Sequence, residues 1–303
     1  MATITSSTVP AGWAPDATIV APRDLLPGAL PLVATRVAAD VPGDAVSVRA
    51  IWAPPSAAQE VPEGECLTCD AEDLAETIIQ TVKLGVCLPI SFEQASRTFD
   101  GHSSSELLAD AARAGLLNAV NAAFLTRPAP GPNSTGPTGL LNTPGLPNGG
   151  NVGPCLDRLI DAQTAIAEAG GRPDTVILSP AAWGALQSLK SGAGSCVPLL
   201  PVGADTAPVL LGCRVEITNA MPGNAGLMLD SRAVLAAIGE IRVFKQFDAR
   251  CDRYNLAAYW RVGWAATDIH RLATFTVEPA QAARTTPANG KTHPGAKTQP
   301  EAL

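Results

Sequence analysis

Tyr254, Leu256, Ala258, Trp260, Val262, Trp264 and Ala266 occupy every even position of one uninterrupted run. Neighbouring strand residues point to opposite faces, so this period of two predicts a long β-strand with one face buried. The next stretch alternates on odd positions, with Ile269, Ala273, Phe275 and Val277, and only Arg271 is out of step. It is expected to be the antiparallel partner of the first. A chain with strands this long must build a broad sheet and then cover it.

Two earlier segments alternate as well: Val46, Val48, Ala50 and Trp52, then Ile78, Val82, Leu84, Val86, Leu88 and Ile90. Residues 53–76 between them carry Glu60, Glu63, Glu65, Asp70, Glu72, Asp73 and Glu76 without one lysine or arginine. Those seven carboxylates equal the entire net charge of −7, so the rest of the chain balances to zero. A long hairpin with an acidic, Pro-rich tip cannot bury itself and is expected to project. Two readings of the tip stay open, a solvated loop or a loop docked on basic groups of another surface.

Helices are expected between the strand regions. Ser103 with Glu106 has the pattern of a capping box ahead of Leu108, Ala112, Leu116, Val120 and Phe124, which predicts a helix over about 103–125. Residues 126–154 then hold seven prolines and seven glycines, a crossing segment that carries the apolar pair Leu140 and Leu141. A second helix is expected at 155–169 from Leu156, Leu159, Ile160, Gln163 and Ile166, stopped by Gly170 and Gly171. A strand at Thr175–Leu178 leads to Ser179 as N-cap and Pro180 at the first position of a helix running to about Lys190. Strands at 213–218 and 226–229, a turn at 221–224 and a short helix at 232–238 complete an α/β module.

The ends differ in character. Residues 1–45 contain six prolines and no helical period, so they read as an extended arm with the apolar contacts Leu25, Leu26, Leu30 and Leu32. Beyond Val277 there is no aromatic or β-branched aliphatic residue, and the tail is expected to be disordered.

Composition narrows the function classes. With 46% hydrophobic and 16% charged residues in 303, general disorder is excluded, and the acidic balance argues against electrostatically driven nucleic-acid binding. The start, MATITSSTVP, has neither a basic nor an apolar targeting region, and no apolar run reaches eighteen residues, so a cytoplasmic site of synthesis and no membrane partner are expected. Seven scattered cysteines are not a disulfide framework.

Chemical motifs are sparse. There is no phosphate-binding loop, no dinucleotide fingerprint, no nucleophile elbow and no H-E-x-x-H. Cys66 and Cys69 have the spacing of half a zinc site without a second half. As a redox pair they are flanked by Glu65 and Asp70, and negative neighbours raise a thiol pKa and blunt it. Asp157 and Asp161 fit first-turn charges that complement a helix dipole beside Arg158 better than a catalytic carboxylate pair. His102, His270 and His293 share no local motif. No catalytic, cofactor-binding or metal-binding residue is assigned, and no cofactor is expected.

The series of Pro-rich arm, projecting hairpin, long helix, Gly/Pro crossing segment, α/β module and final long strands resembles the major capsid proteins of tailed bacteriophages, the Hong Kong 97 type fold. Local phrases carry the same resemblance: "LPISFEQASRTFDG" before the long helix, "GPTGLLNTPGLP" after it, "DTVILSPAAWGALQSLKSG", and "LLGCRVEITNAMPGNAGLMLDSRAVLAAIGEIRVFKQFD". It implies an α+β fold with an N-terminal arm at 1–45, an E-loop hairpin at 46–90, a P-domain with spine helix at 91–154, an α/β A-domain at 155–240, P-domain return strands at 241–277 and a tail at 278–303.

The implied function is structural rather than enzymatic: self-assembly of hexamers and pentamers into an icosahedral virion shell around double-stranded phage DNA, which is contacted non-specifically. Expected partners are other copies of the chain, a scaffolding protein, a portal and possible decoration proteins, with assembly in the bacterial host cytoplasm. The chain begins almost directly with the arm, so a separate scaffold or a prior cleavage is expected. Some members crosslink their shells through an E-loop lysine, a P-domain asparagine and an assisting glutamate. Residues 53–76 hold no lysine and no glutamate lies between Glu240 and Glu278, so crosslinking is not carried over. For the acidic loop, Glu63, Glu65, Asp70 and Glu72 are the candidate interface carboxylates, and Arg97 and Arg113 of a neighbouring subunit the candidate cations. Two alternatives stand beside this reading. An encapsulin-like compartment would start with an interior helix that this Pro-rich start lacks, and a cytoplasmic α/β enzyme with a thiol site would be a compact monomer or dimer.

Overall fold

The computed structural model describes residues 17–53, 60–61, 63, 74–95, 98–99, 102–132, 134–190, 197–200 and 208–278. Its first sheet holds β1 (Ala17–Val20), β2 (Arg36–Asp40), β3 (Ser47–Trp52), β4 (Ala75–Ser91), β12 (Val234–Asp248) and β13 (Arg253–Ala266), numbered in chain order. The spatial order is β1-β12-β13-β4-β3, with β2 also on β12. The even face of β13 is the buried one, as its alternation predicts: Ala258, Trp260, Val262 and Trp264 are all core residues.

Two irregularities let the sheet serve two cores. A bulge between Ile238 and Ile241 on β12 shifts the register, so both isoleucines pack into the same main core. On β4, Ile78 is exposed while Ile79 is fully buried, which corrects the expected even-numbered face at that end. The cause is a second, small core. Strands β2 and β3 come together from opposite edges of the order, and Val41, Ala50, Ile79, Leu235 and Ala237 fill the curl between them.

After β4, α3 (Phe92–Ala95) and the short pair β5 (Thr98–Phe99) and β6 (His102–Ser103) lead into α4 (Ser104–Thr126). The predicted stripe is the buried one, with Ala112, Leu116, Val120 and Phe124 inside. The ring of Phe124 meets Trp264 edge-on at 5.3 Å. The side chain of Ser103, half of the expected capping box, lies outside the described residues. Carboxamide donation from Asn142 to the carbonyls of Thr126 and Arg127, at 2.8 and 3.0 Å, closes the C-terminal end.

The N-terminal segment is not extended throughout. Pro22 opens α1 (Pro22–Leu25), and Pro31 sits in the first turn of α2 (Leu30–Val33). Proline suits those positions because its missing N–H would have had no intrahelical partner. Leu26, Ala29, Leu30 and Ala34 are buried in the core that α4 forms with the sheet. Single turns are too short to display a helical period, which is why the arm reading missed them.

The second sheet contains β7 (Asn148–Val152), β8 (Thr175–Leu178), β9 (Val209–Leu210), β10 (Cys213–Ile217), β11 (Ala225–Leu229) and β14 (Leu272–Val277), in the order β7-β14-β11-β8-β10-β9. Helices α5 (Asp157–Glu168) and α6 (Pro180–Gln187) belong with it, through Leu159, Ile166, Leu186, Val176, Met228 and Phe275. The Ser179 cap is present, its hydroxyl accepting from the Ala182 N–H at 3.0 Å. Gly170 takes φ +74 where α5 stops, a left-handed value that suits glycine. Ile160, expected on the buried stripe, is exposed.

Two expectations are corrected in this half. Residues 232–238 are not a helix: a short 3-10 turn at Ser231–Ala233 runs into β12, and Val234–Ile238 is buried on both faces. A short continuous apolar run carries no periodicity that separates a helix from a buried strand. The last strand is not the partner of β13 either, since β13 pairs with β12 and β4, and β14 pairs with β11 and β7. The expected disordered tail lies outside the described residues, apart from Glu278, whose carboxylate accepts from the Asn151 side chain at 2.7 Å.

Candidate assembly surface

The β3–β4 hairpin leaves the body with one covered and one open face. On the covered face the Trp52 indole donates to the Thr77 hydroxyl at 3.0 Å. On the open face Arg49 and Glu76 pair at 3.2 Å beside Ile51 and Ile78, which are 69% and 56% exposed. Leu74, next to the start of β4, and Val61 are exposed as well. Isolated exposed apolar residues are ordinary, but a run of them along one projecting element marks a surface used for contact.

Of the expected interface residues, Glu63 is exposed, and among the described residues no ion pair joins it to a basic side chain. Glu65, Asp70, Glu72 and Arg97 lie outside the described residues. Arg113 is exposed on α4, with its guanidinium 3.8 Å from Asp110. Among the described residues, Glu63 and Arg113 make no ion pair with each other.

Register assembles two groups that the sequence reading missed. Phe92, Phe247 and Tyr254 cluster at the far end of the first sheet, with ring centroids 5.1 to 6.3 Å apart, and Lys245 lies over Tyr254. Phe92 and Phe247 are each about half exposed, at 49% and 46%. Elsewhere on the same sheet Lys83, Arg242 and Arg261 converge on Asp44 at 3.6 to 3.7 Å. No local motif signals either group, because its members come from separate strands.

Among the described residues, nothing comparable gathers around the thiols or around His270. Cys87, Cys155 and Cys251 are exposed and unpaired, while Cys213 is buried and its thiol donates to the Pro173 carbonyl at 3.3 Å. Burial, with Asp174 nearby, pushes the Cys213 thiol pKa up, which keeps it protonated. Arg158 pairs with Asp161 at 3.6 Å, and the Cys155 thiol contacts Asp157, as suits ordinary helix-end charges. Among the described residues no group of three His, Cys, Asp or Glu side chains is placed to hold a metal ion.

Comparison with known proteins decides what this surface belongs to. The model of the Phage capsid family matches residues 52–279. The chain belongs to the phage capsid family.

Solved structures agree with the capsid protein in fold. A chain from Gordonia phage Cozz superposes with a TM-score of 0.61 at 16% identity, covering 82% of this chain and 86% of that one. The capsid of an empty GTA particle gives a TM-score of 0.59 at 18% identity, covering 91% and 95%. A chain from Mycobacterium phage Bobi gives 0.56 at 15% identity, covering 91% and 99%. No curated protein sequence matches. The capsid protein is thus a structural, non-enzymatic subunit of a multimeric virion shell, with a mixed α+β fold dominated by its sheets.

Proposed function

We propose that the capsid protein forms hexamers and pentamers that close into an icosahedral shell around double-stranded phage DNA. The observation that carries this is the β3–β4 hairpin, whose open face leaves Ile51, Ile78 and Leu74 largely exposed. Heterologous contacts that repeat and close generate such shells, and projecting hairpins add interface area that a compact subunit lacks. On this reading residues 1–45 are the N-arm, 46–90 the E-loop, 91–154 the spine-helix region, 155–240 the A-domain, 241–277 the return segment and 278–303 the tail. Residues 272–277, by their pairing, work with the A-domain sheet.

The acidic tip, with Glu63, Glu65, Asp70 and Glu72, contacts basic groups of a neighbouring subunit, and Arg97 and Arg113 are the cations that the resemblance nominates. A scaffolding protein, a portal and decoration proteins complete the particle, assembly proceeds in the host cytoplasm, and packaged DNA is held non-specifically. Light scattering of the purified protein, with extraction of contents from native particles, tests the reading. Large particles containing DNA are expected. A stable monomer or dimer, or particles filled with a protein cargo, would overturn it.

A further inference from the structure

The cations that the fold concentrates are not on the long helix. Lys83, Arg242 and Arg261 lie on the sheet face opposite α4: on each strand the adjoining residue, Val82, Ile241 or Trp260, points into the core instead. Register sets Arg261 directly across from Lys83, and Arg242 across from Tyr259. These side chains line a cleft of about 250 Å³ with Asp44 and Glu240.

The cleft is short of acceptors. Three cations face two carboxylates, and Asp44 sits 3.6 to 3.7 Å from each cation, beyond good hydrogen-bond length. Arg261 is anchored by donation to the Thr81 hydroxyl and the Ala45 carbonyl, at 3.0 and 3.3 Å, yet its buried Nε has no hydrogen-bond partner. Tyr259 holds Lys83 over its ring, 5.0 Å from the centroid. That ring in turn lies on Gly85, where a Cβ would collide with it. One further carboxylate would neutralise the excess charge and supply the missing acceptors.

We infer that this cleft is an anion seat, and that its occupant is the acidic segment 60–76 of a second copy of the chain. Charge complementarity selects the occupant, since that segment holds seven carboxylates and no lysine or arginine, while the remainder of the chain is balanced. In its own chain β4 leads away from the cleft, Ala75 lying eight residues up the strand from Lys83, roughly 26 Å at about 3.3 Å per residue, and Glu76 is already paired with Arg49, so the occupant assigned is the loop of a neighbouring copy. Arg113 is the weaker candidate because Asp110 of its own helix already faces it. The inference rests on shell assembly and names the surface that receives the loop.

The test uses full-length unassembled protein and a fluorescent peptide of residues 53–76, followed by anisotropy. Lys83→Gln and Arg242→Gln are the cleft variants, since both side chains are partly exposed and Arg261 is spared for its anchoring role. Arg113→Gln is the comparison. The double cleft variant is expected to weaken binding by about threefold or more and to flatten its salt dependence, with melting unchanged and Arg113→Gln without effect. Lys83→Gln alone gives a smaller change in the same direction. Peptide binding that survives both cleft substitutions, or that falls equally with Arg113→Gln, overturns the inference. So does a DNA duplex that binds the cleft more tightly than the peptide and is lost with the same substitutions. Shells that form normally from the double variant refute the seat while leaving the capsid reading intact, whereas wild-type protein that forms no shells refutes the capsid reading itself.

Discussion

The backbone N–H of Leu30 donates to the carboxamide oxygen of Asn121 at 2.9 Å, across ninety-one residues of chain. Both residues are buried, so the bond fastens the N-terminal segment to the C-terminal part of α4 inside the core. Asn121→Ala would leave a buried N–H without a partner, at a cost of about 1–3 kcal/mol. Urea unfolding of the unassembled subunit should show that loss, and an unchanged midpoint would contradict the N-terminal segment as part of the fold.

The same burial sets what truncation does. Deleting residues 1–45 strips Leu26, Ala29, Leu30 and Ala34 from the main core, and each large side chain removed from such a site costs about 2–5 kcal/mol. The truncated chain is expected to lose cooperative melting and to collect in the insoluble fraction. Deleting only residues 1–16 spares these contacts and should leave the melt in place. A soluble, cooperatively folded 46–303 fragment would show that the segment is a detachable arm.

Legibility followed the reach of each interaction. The α4 stripe, the Ser179 cap and the alternation of β13 are local patterns repeated over enough residues to be read directly. The turns at Pro22 and Pro31 were too short to show a period, and Val234–Ile238 was too uniformly apolar to separate strand from helix. That β14 joins the second sheet depends on partners β7 and β11, which are set by tertiary packing rather than by its own alternation. The acidic loop was visible as composition, but its proposed seat was not. Lys83, Arg242 and Arg261 sit far apart in the chain and meet only through the registers of β4, β12 and β13.

Cys213 provides a chemical check on the second core. Its thiol is buried and its pKa is raised by desolvation and by Asp174, so little thiolate forms at pH 8. Alkylation of native protein followed by peptide mapping should modify Cys87, Cys155 and Cys251 and spare Cys213 until denaturant is added. Labelling of Cys213 at the rate of Cys251 would mean that the β8–β10 region opens readily.

Covalent crosslinking is not expected in the shell. The hairpin tip offers no lysine and residues 241–277 offer no glutamate, so boiled and denatured particles should migrate as single chains near 31.0 kDa. A ladder of multimers resistant to reducing agent would contradict this.

Electron cryo-microscopy of the assembled protein would show which copy each hairpin touches. Closed shells of hexamers and pentamers are expected, with each β3–β4 hairpin lying across an adjacent subunit so that Ile51 and Ile78 are covered. Purified protein that stays a monomer or dimer under all assembly conditions, or particles whose hairpins contact only their own chain, would contradict it.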